Sequence, residues 1–370
     1  MPEGSRAAIL AAVNVALVTS ARAWRGSTSV FAAVGCGLAA RGMRVVAVAA
    51  HGEVAAGFAA RGVETLHLPT GRTGLRAAQA LRRALRARAT DAVLADKPRD
   101  VRLAAYASLG RGLAVVYCLS TPEPPTDPLT RLAFRRVRLT VFLTEELARR
   151  AMATAPFMGK VPYRIIPNGV DCDVFRPDAA AGVAFRRRHA LDGGPLLVGV
   201  GALAPEKRWD LVLDAVALLA RPAPPLVLCG TGGEGGALEG ALRAQAQRLG
   251  VDLRCVGWLD PAALVGAYNA ATCVVHGRPD EVFSLALIEA LACGRPLLAA
   301  RGGGTAELVG EAGVLAAPAD ASDFARLLAA LLSDAPRREA LGAAARRRAV
   351  ERYSLSRMVR DYGEAIESLG

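Results

Sequence analysis

Glu281 and Glu289 stand eight residues apart in the stretch RPDEVFSLALIEALACGRPLLAARGGGTAE, which runs from Arg278 to Glu307. Leu285, Ile288, Leu291 and Ala292 carry a helical spacing, so a helix starting near Phe283 leaves Glu281 in the loop before its first turn and Glu289 inside it. The first N–H groups of a helix have no partner within it and favour an anion. Two carboxylates at the ends of one such segment therefore form a polar site built on a rigid element. A lone pair of glutamates on a surface helix is usually just solvated. Here Cys293-Gly294-Arg295-Pro296 stops the helix, Leu297 to Ala300 reads as a buried strand, and Arg301 to Gly304 makes a second loop that can lie on the same sheet edge.

Lys207 is the third residue whose position suggests chemistry. It closes GALAPEK after the apolar strand Leu196 to Val200 and stands just ahead of a helix from Trp209 to Leu219. A lysine at a helix entrance is where a phosphate would be met, whereas a solvated surface lysine is the plain alternative. Two further motifs point elsewhere. Asp171-Cys172-Asp173 has the D-x-D form of some divalent-metal sites, but Asp and Asn beside Gly also make ordinary turns and no further carboxylate cluster accompanies it. Gly230-Thr231-Gly232-Gly233-Glu234-Gly235 satisfies G-x-G-x-x-G, with Asp252 at about the distance of a ribose-binding acid, and so raises a nicotinamide-dinucleotide oxidoreductase as an alternative. It fails on position, because Asp252 begins the next strand instead of ending it and the motif does not follow the first strand of its domain.

These loops need a scaffold, and short apolar runs alternating with helical patterns supply one. Asn14 to Val18, Val45 to Ala50, Glu64 to Leu68, Ala92 to Ala95, Ala114 to Cys118 and Thr140 to Leu143 read as strands of the first half. Leu196 to Val200, Leu226 to Cys229, Leu253 to Val256, Cys273 to His276 and Leu297 to Ala300 repeat the scheme in the second. Such alternation predicts an α/β fold of two Rossmann-like, doubly wound parallel-sheet domains. The loop Ser20 to Ser29 follows the first strand, and Gly26 within it allows close backbone approach at the edge where such folds bind ligands. The Pro- and Gly-bounded segment from Arg164 to Pro177 breaks the alternation. The expected domains are residues 1–175 and 176–354, with a C-terminal helix over 355–370 packing back on the first.

Composition narrows the function classes. The chain has 370 residues and a net charge of +12, from 46 Lys and Arg against 34 Asp and Glu. Residues 1–175 hold 24 basic and 12 acidic side chains, so the whole excess lies in the first half. Arg82, Arg83, Arg86 and Arg88, then Arg131, Arg135, Arg136 and Arg138, are spaced as basic helix faces able to meet an anionic membrane surface. An arginine-rich coding bias without any partner is the plain alternative. Aromatic residues are only 5% of the chain and no nucleic-acid module is legible, so no nucleic-acid partner is expected. Seven scattered cysteines without C-x-x-C spacing suggest reduced thiols in a cytoplasmic protein, and no run approaches the roughly 18 apolar residues of a membrane span. Ala7 to Val18 could pass for a signal peptide, but Asn14 interrupts it and Asn14 to Thr19 serves better as the first strand.

With Lys207, the turn Asn168-Gly169-Val170-Asp171 and the two glutamates placed, nearly the whole chain resembles the group 1 (family 4) glycosyltransferases of the GT-B fold. IIPNGVD, GALAPEKRWD and EVFSLALIEALACGRPLLA carry the resemblance, the last as the family's E-x7-E signature. The resemblance implies two domains facing across a cleft, a nucleotide-diphosphate sugar held by the second, and a glycan or lipid-linked acceptor met by the first. It also implies a hexosyltransferase that retains anomeric configuration and needs no cofactor or metal, and the one-sided charge adds the expectation of work in the cytoplasm or peripherally at the inner membrane face, in glycan and cell-envelope biosynthesis. Carried over by position, Glu281 and Lys207 are catalytic: Glu281 meets donor-sugar hydroxyls and Lys207 neutralises the diphosphate. Glu289 accepts from the ribose, the N–H groups of Phe283, Ser284 and Leu285 bind the diphosphate, and Gly26 lets the first domain approach the donor. The chain departs from the family at Ala202, where relatives commonly carry the arginine that pairs with the lysine, so Arg208 is the expected substitute. It departs again at Leu119-Ser120-Thr121-Pro122, which lacks the usual first-domain histidine and leaves no base assigned there. A non-catalytic sugar-nucleotide binder is the alternative these departures suggest.

Overall fold

The structure, a computed structural model, describes residues 13–68, 74–232 and 236–370. The signal-peptide reading and the end of the G-x-G-x-x-G run, Gly233 to Gly235, lie at least in part outside them. Contacts divide the chain into two units, Met1–Gly169 with Leu355–Gly370, and Val170–Ser354.

Unit 1 carries β1 (Asn14–Thr19), α1 (Gly26–Ala40), β2 (Arg44–Ala49), α2 (Gly52–Ala59), β3 (Glu64–His67), α3 (Leu75–Ala87), β4 (Ala92–Ala95), α4 (Pro98–Ala107), β5 (Ala114–Leu119), α5 (Pro128–Ala133), β6 (Val137–Phe142), α6 (Glu145–Thr154) and β7 (Tyr163–Ile165). The seven strands are all parallel, in the order β3-β2-β1-β4-β5-β6-β7. VALVT, AVLA and AVVYCL are buried along their whole length, as strands covered by helices on both faces must be. Helix starts follow from local chemistry. The side chains of Asp127 and Thr144 accept from the N–H groups of Thr130 and Leu147, and Pro98 and Pro128 occupy the first turn, where a missing N–H costs nothing.

Unit 2 carries α7 (Ala179–Arg188), β8 (Leu197–Val200), α8 (Trp209–Ala217), β9 (Leu226–Cys229), α9 (Ala237–Leu249), β10 (Leu253–Gly257), α10 (Pro261–Ala270), β11 (Cys273–His276), α11 (Leu285–Ala292), β12 (Leu297–Ala300), α12 (Thr305–Val309), β13 (Val314–Ala316), α13 (Ala321–Ser333) and α14 (Ala335–Tyr353). Its six parallel strands run β10-β9-β8-β11-β12-β13. Trp209, Leu213, Phe324 and Leu328 cover one face of this sheet, while Tyr268, Ile288, Leu291 and Ala345 cover the other. The last helix, α15 (Leu355–Glu367), belongs to unit 1. There Met358, Tyr362 and Ile366 enter the core with Leu17, Phe31 and Val116, and the Met358 sulfur accepts from the Gly169 N–H at 3.0 Å.

In both sheets the strand order reverses beside the first strand, between β1 and β4 in unit 1 and between β8 and β11 in unit 2. The loops leaving such a neighbouring pair diverge and open a crevice at the carboxyl edge of the sheet. The sequence places Lys207 in the loop after β8 and Glu281 in the loop after β11.

Candidate active site

The loop from Gly201 to Arg208 ends in a tight turn over Pro205–Lys207 and a left-handed Arg208. Its backbone lies directly on the exit of β11. A Cβ on Gly277 would stand 2.5 Å from the Arg208 carbonyl oxygen and 2.9 Å from that of Lys207, so only glycine admits this approach. Lys207 Nζ consequently reaches Glu281 and donates to Oε2 at 2.6 Å. Glu281 is 8% exposed, and its main chain is fixed from the other side, where Gly304 donates its N–H to the Glu281 carbonyl at 2.6 Å. Gly303, at φ +47°, packs so closely that a Cβ would lie 2.5 Å from the same oxygen.

Two more basic side chains face this carboxylate. Arg278 Nη1 lies 3.7 Å from Oε1, and His276 Nε2 lies 3.6 Å from Oε2 with no hydrogen-bond partner among the described residues. Burial first, and then the charges of Lys207 and Arg278, push the His276 imidazole down to about 3, so it is neutral at physiological pH. One carboxylate and two cations thus meet around a neutral imidazole. The excess is positive, which suits an arriving anion.

Glu289 projects from α11, and its Oε2 accepts from the buried Tyr268 hydroxyl at 2.8 Å. Burial pushes this carboxyl up to about 7, and the Tyr268 hydrogen bond offsets part of that rise. The helix begins at Leu285, two residues beyond the expected Phe283, with Ser284 as an extended N-cap that makes no side-chain cap bond. Among the described residues, no acceptor meets the N–H groups of Phe283, Ser284 or Leu285. Lys207, Glu281 and the expected backbone donors therefore belong to two loops of one sheet edge.

The other residues singled out by the sequence take the following places. Arg208 turns its guanidinium to Asp210 on the first turn of α8, at 3.2 Å. Arg278 is instead the second cation beside Glu281. Ala202 offers its carbonyl to the Trp209 indole N–H at 3.0 Å. Gly26 is the first residue of α1 in unit 1. Asp171 accepts from the N–H groups of Asp173 and Val174 at 2.9 and 3.2 Å, an ordinary turn, and no group of three or more metal-type ligands occurs among the described residues. Asp252 pairs with Arg254 at the start of β10. His276, Arg278 and Tyr268 received no role from sequence reasoning. A histidine closing the apolar run CVVH was the one legible signal.

Two doubly wound parallel-sheet units, with the last helix of the chain returning to the first, are the architecture of the GT-B class. Solved structures agree on the fold. Anabaena HepE in complex with UDP and glucose superposes with a TM-score of 0.81 at 18% identity, covering 96% of this chain and 99% of that one. A glycosyltransferase from Rickettsia africae gives 0.86 at 13% identity, covering 96% and 98%. The family model for glycosyl transferases group 1 matches residues 184–348, and that for glycosyltransferase family 4 matches residues 24–174. The chain belongs to the group 1, family 4 glycosyltransferases. Among curated relatives, the GDP-mannose-dependent alpha-(1-6)-phosphatidylinositol monomannoside mannosyltransferase of Mycolicibacterium smegmatis is 31% identical over 239 residues, 61% of this chain and 62% of that protein. The D-inositol 3-phosphate glycosyltransferase of Stackebrandtia nassauensis is 36% identical over 222 residues, 55% and 49%. The chain thus spans about half the length of the curated relatives it matches.

Proposed function

We propose that the protein transfers a hexosyl group from a nucleotide-diphosphate sugar to a hydroxyl of a glycan or lipid-linked acceptor, with retention at the anomeric carbon. The observation that carries the reading is the Lys207–Glu281 pair beside unpartnered N–H groups at the start of α11. Breaking the glycosyl–phosphate bond sends its electron pair to a phosphate oxygen and leaves positive charge on the sugar ring. Fixed donors and a cation must face the first, and a carboxylate near the sugar suits the second. On this reading, Lys207 and Arg278 and the N–H groups of Phe283 to Leu285 hold the diphosphate, Glu281 accepts from sugar hydroxyls, and Glu289 accepts from the ribose. The acceptor oxygen attacks and its proton leaves with the diphosphate. Retention and independence of metal rest on the family resemblance, and a polyol-bearing acceptor is supported by relatives named for inositol phosphates.

The test pairs binding with turnover. Nucleoside diphosphates and their sugars are expected to raise the thermal midpoint, by about 2.7 kcal/mol of stability at a ligand concentration 100 times Kd, and the matching sugar nucleotide is slowly hydrolysed. Tight nucleotide binding with neither transfer nor hydrolysis supports the non-catalytic binder, which Ala202 and the histidine-free loop after β5 favour. Ser284→Pro removes one N–H and is expected to weaken nucleotide binding about tenfold more than Ser284→Ala, and equal affinities would remove the backbone donors from the site.

A membrane-facing role draws on two surfaces of unit 1, α3 with its exposed Arg83 and Arg86 and the surface around α5. Arg82 is occupied by the carbonyls of Tyr106, Ala107 and Leu109, and Arg88 by Glu64. Arg131, Arg135, Arg138 and Lys160 instead line a groove of about 790 Å³ with Leu132 and Phe157. No helix among the described residues is long and apolar enough to cross a membrane. Peripheral attachment at the cytoplasmic face then predicts sedimentation with anionic vesicles at low salt that Arg131→Glu/Arg135→Glu lowers. Equal sedimentation with neutral vesicles would remove the membrane from the reading.

A further inference from the structure

Two cations and one imidazole surround Glu281, and the proposed function gives a task to the cations alone. On that reading both turn to the diphosphate when a donor arrives, which leaves a carboxylate only 8% exposed without its charged partners. His276 is the third basic side chain beside it. It is 2% exposed at the end of β11, where it pairs with Ala299 of β12, and the next residue, Gly277, seats the backbone of Lys207 and Arg208. Strand and loop therefore hold the imidazole in place against the carboxylate. Its Nε2 is buried, has no hydrogen-bond partner among the described residues, and lies 3.6 Å from Glu281 Oε2. That is the same oxygen that accepts from Lys207 Nζ at 2.6 Å. At 3.6 Å the imidazole and the carboxylate are neighbours but are not hydrogen bonded.

We propose that His276 is a positioning residue for Glu281, its Nε2–H taking over Oε2 when the donor's diphosphate draws Lys207 away. Three observations carry the assignment. The ammonium and the imidazole face one oxygen, so release of the first opens it to the second, which closes a gap of a few tenths of an ångström to reach an ordinary N–H···O distance. An unpaired buried donor and an unpaired buried acceptor each cost free energy, and a single bond between them removes both costs. The imidazole is neutral, so the diphosphate does not compete for it. It also leaves Glu281 its negative charge, which a third cation would cancel and which suits a sugar ring that becomes positive. With Oε2 held from the strand, Oε1 is the oxygen free to meet a sugar hydroxyl. The assignment rests on the glycosyltransferase reading, because it is the diphosphate that moves Lys207.

Two measurements on the full chain test it, with UDP, GDP and ADP as probes. The first is a double-mutant cycle on nucleotide affinity. His276→Leu puts an apolar side chain at the end of an apolar strand and is expected to weaken the probe that wild type binds best about tenfold, since Lys207 then leaves behind a buried carboxylate with no donor. His276→Gln, whose amide N–H can stand near the place of Nε2, is expected to recover most of that loss. In a Glu281→Gln background, His276→Leu is expected to change the affinity by less than about twofold, because no buried charge is left behind. A tenfold loss that persists in that background marks His276 as merely structural and overturns the proposal, as does unchanged affinity in His276→Leu itself. The second measurement is long-range proton–nitrogen NMR of the histidine rings in wild type, which needs no variant to fold. His276 Nε2 is expected to carry the proton, and its signal to move downfield on saturation with the probe. A bare Nε2 in the bound protein, or an unmoved signal, would overturn the proposal. If a nucleotide still raises the thermal midpoint while these results fail, only the His276 role falls, whereas no shift from any of the three removes the glycosyltransferase reading with it.

Discussion

Lys207→Ala is expected to lower sugar-nucleotide turnover by about two orders of magnitude or more and to destabilise the protein as well. The first effect follows from removing a fixed cation that faces developing negative charge, where loss of a single donor costs roughly 100- to 1,000-fold. The second follows from the site itself. Glu281 is 8% exposed, and Lys207 Nζ at 2.6 Å is its short-range partner, so the variant strands a buried carboxylate. Breaking a fully buried pair costs about 3–5 kcal/mol, and Arg278 at 3.7 Å lowers that toward about 2 kcal/mol. The double variant Lys207→Ala/Glu281→Ala removes both charges and is expected to regain most of the stability but none of the turnover. Thermal midpoints and hydrolysis rates for the two single variants and the double variant decide this. A double variant as unstable as Lys207→Ala would show that the pair is not what holds the loops together, and turnover within about threefold of wild type would remove Lys207 from the chemistry. Lys207 also helps to hold His276 neutral, so its loss should raise the imidazole pKa, which proton NMR can follow.

The second large effect concerns pH. The Glu289 carboxyl rises from 4.5 to about 7 in the folded protein, chiefly through burial. Between these values the unfolded chain has released a proton that the folded chain still holds, so stability falls as pH rises from about 4.5 to about 7 and is level above. The shift corresponds to about 3 kcal/mol at most. Glu289→Gln carries no charge at any pH and can still accept from Tyr268. Its stability relative to wild type should therefore improve by about 2–3 kcal/mol between pH 5 and pH 8, read from denaturant midpoints. The same difference at both pH values would contradict burial as the cause. The ribose role adds a reverse dependence for binding, because hydroxyls donate better to an ionised carboxylate, so nucleoside diphosphate affinity should rise through pH 7.

The scaffold was largely legible because its signals are local. Runs such as LVLC, CVVH and LLAA have both the length and the composition of strands buried on both faces, and each appears over the expected residues. Tyr163–Ile165 and Val314–Ala316 went unread because three-residue edge strands carry too few side chains to show a period. Within the site, Glu281 and Lys207 could be found because loop position follows from strand order. The partners of these residues could not. His276 looks like the last residue of a strand, and only the closing of the β8 and β11 loops onto one point turns it toward a carboxylate. Arg208 and Arg278 differ in the same way. Adjacency to Lys207 suggested Arg208, yet its left-handed backbone sends the guanidinium to Asp210, while Arg278 reaches Glu281 from the same loop. Side-chain direction in an irregular loop depends on φ and ψ, which residue names do not encode.

The glycines that flank Glu281 make its main chain an anvil. Gly303 and Gly304 hold its carbonyl from one side, and Gly277 seats the backbone of Lys207 on the other, while the side chain between them meets the Lys207 ammonium. On the proposed reading, a donor that draws Lys207 from Glu281 asks for changes in side-chain torsions alone. The glycine run from Gly302 to Gly304 therefore sets the aim of a carboxylate without presenting a side chain to any ligand. Random mutagenesis of the chain should find Gly277, Gly302 and Gly303 as intolerant as Glu281 itself.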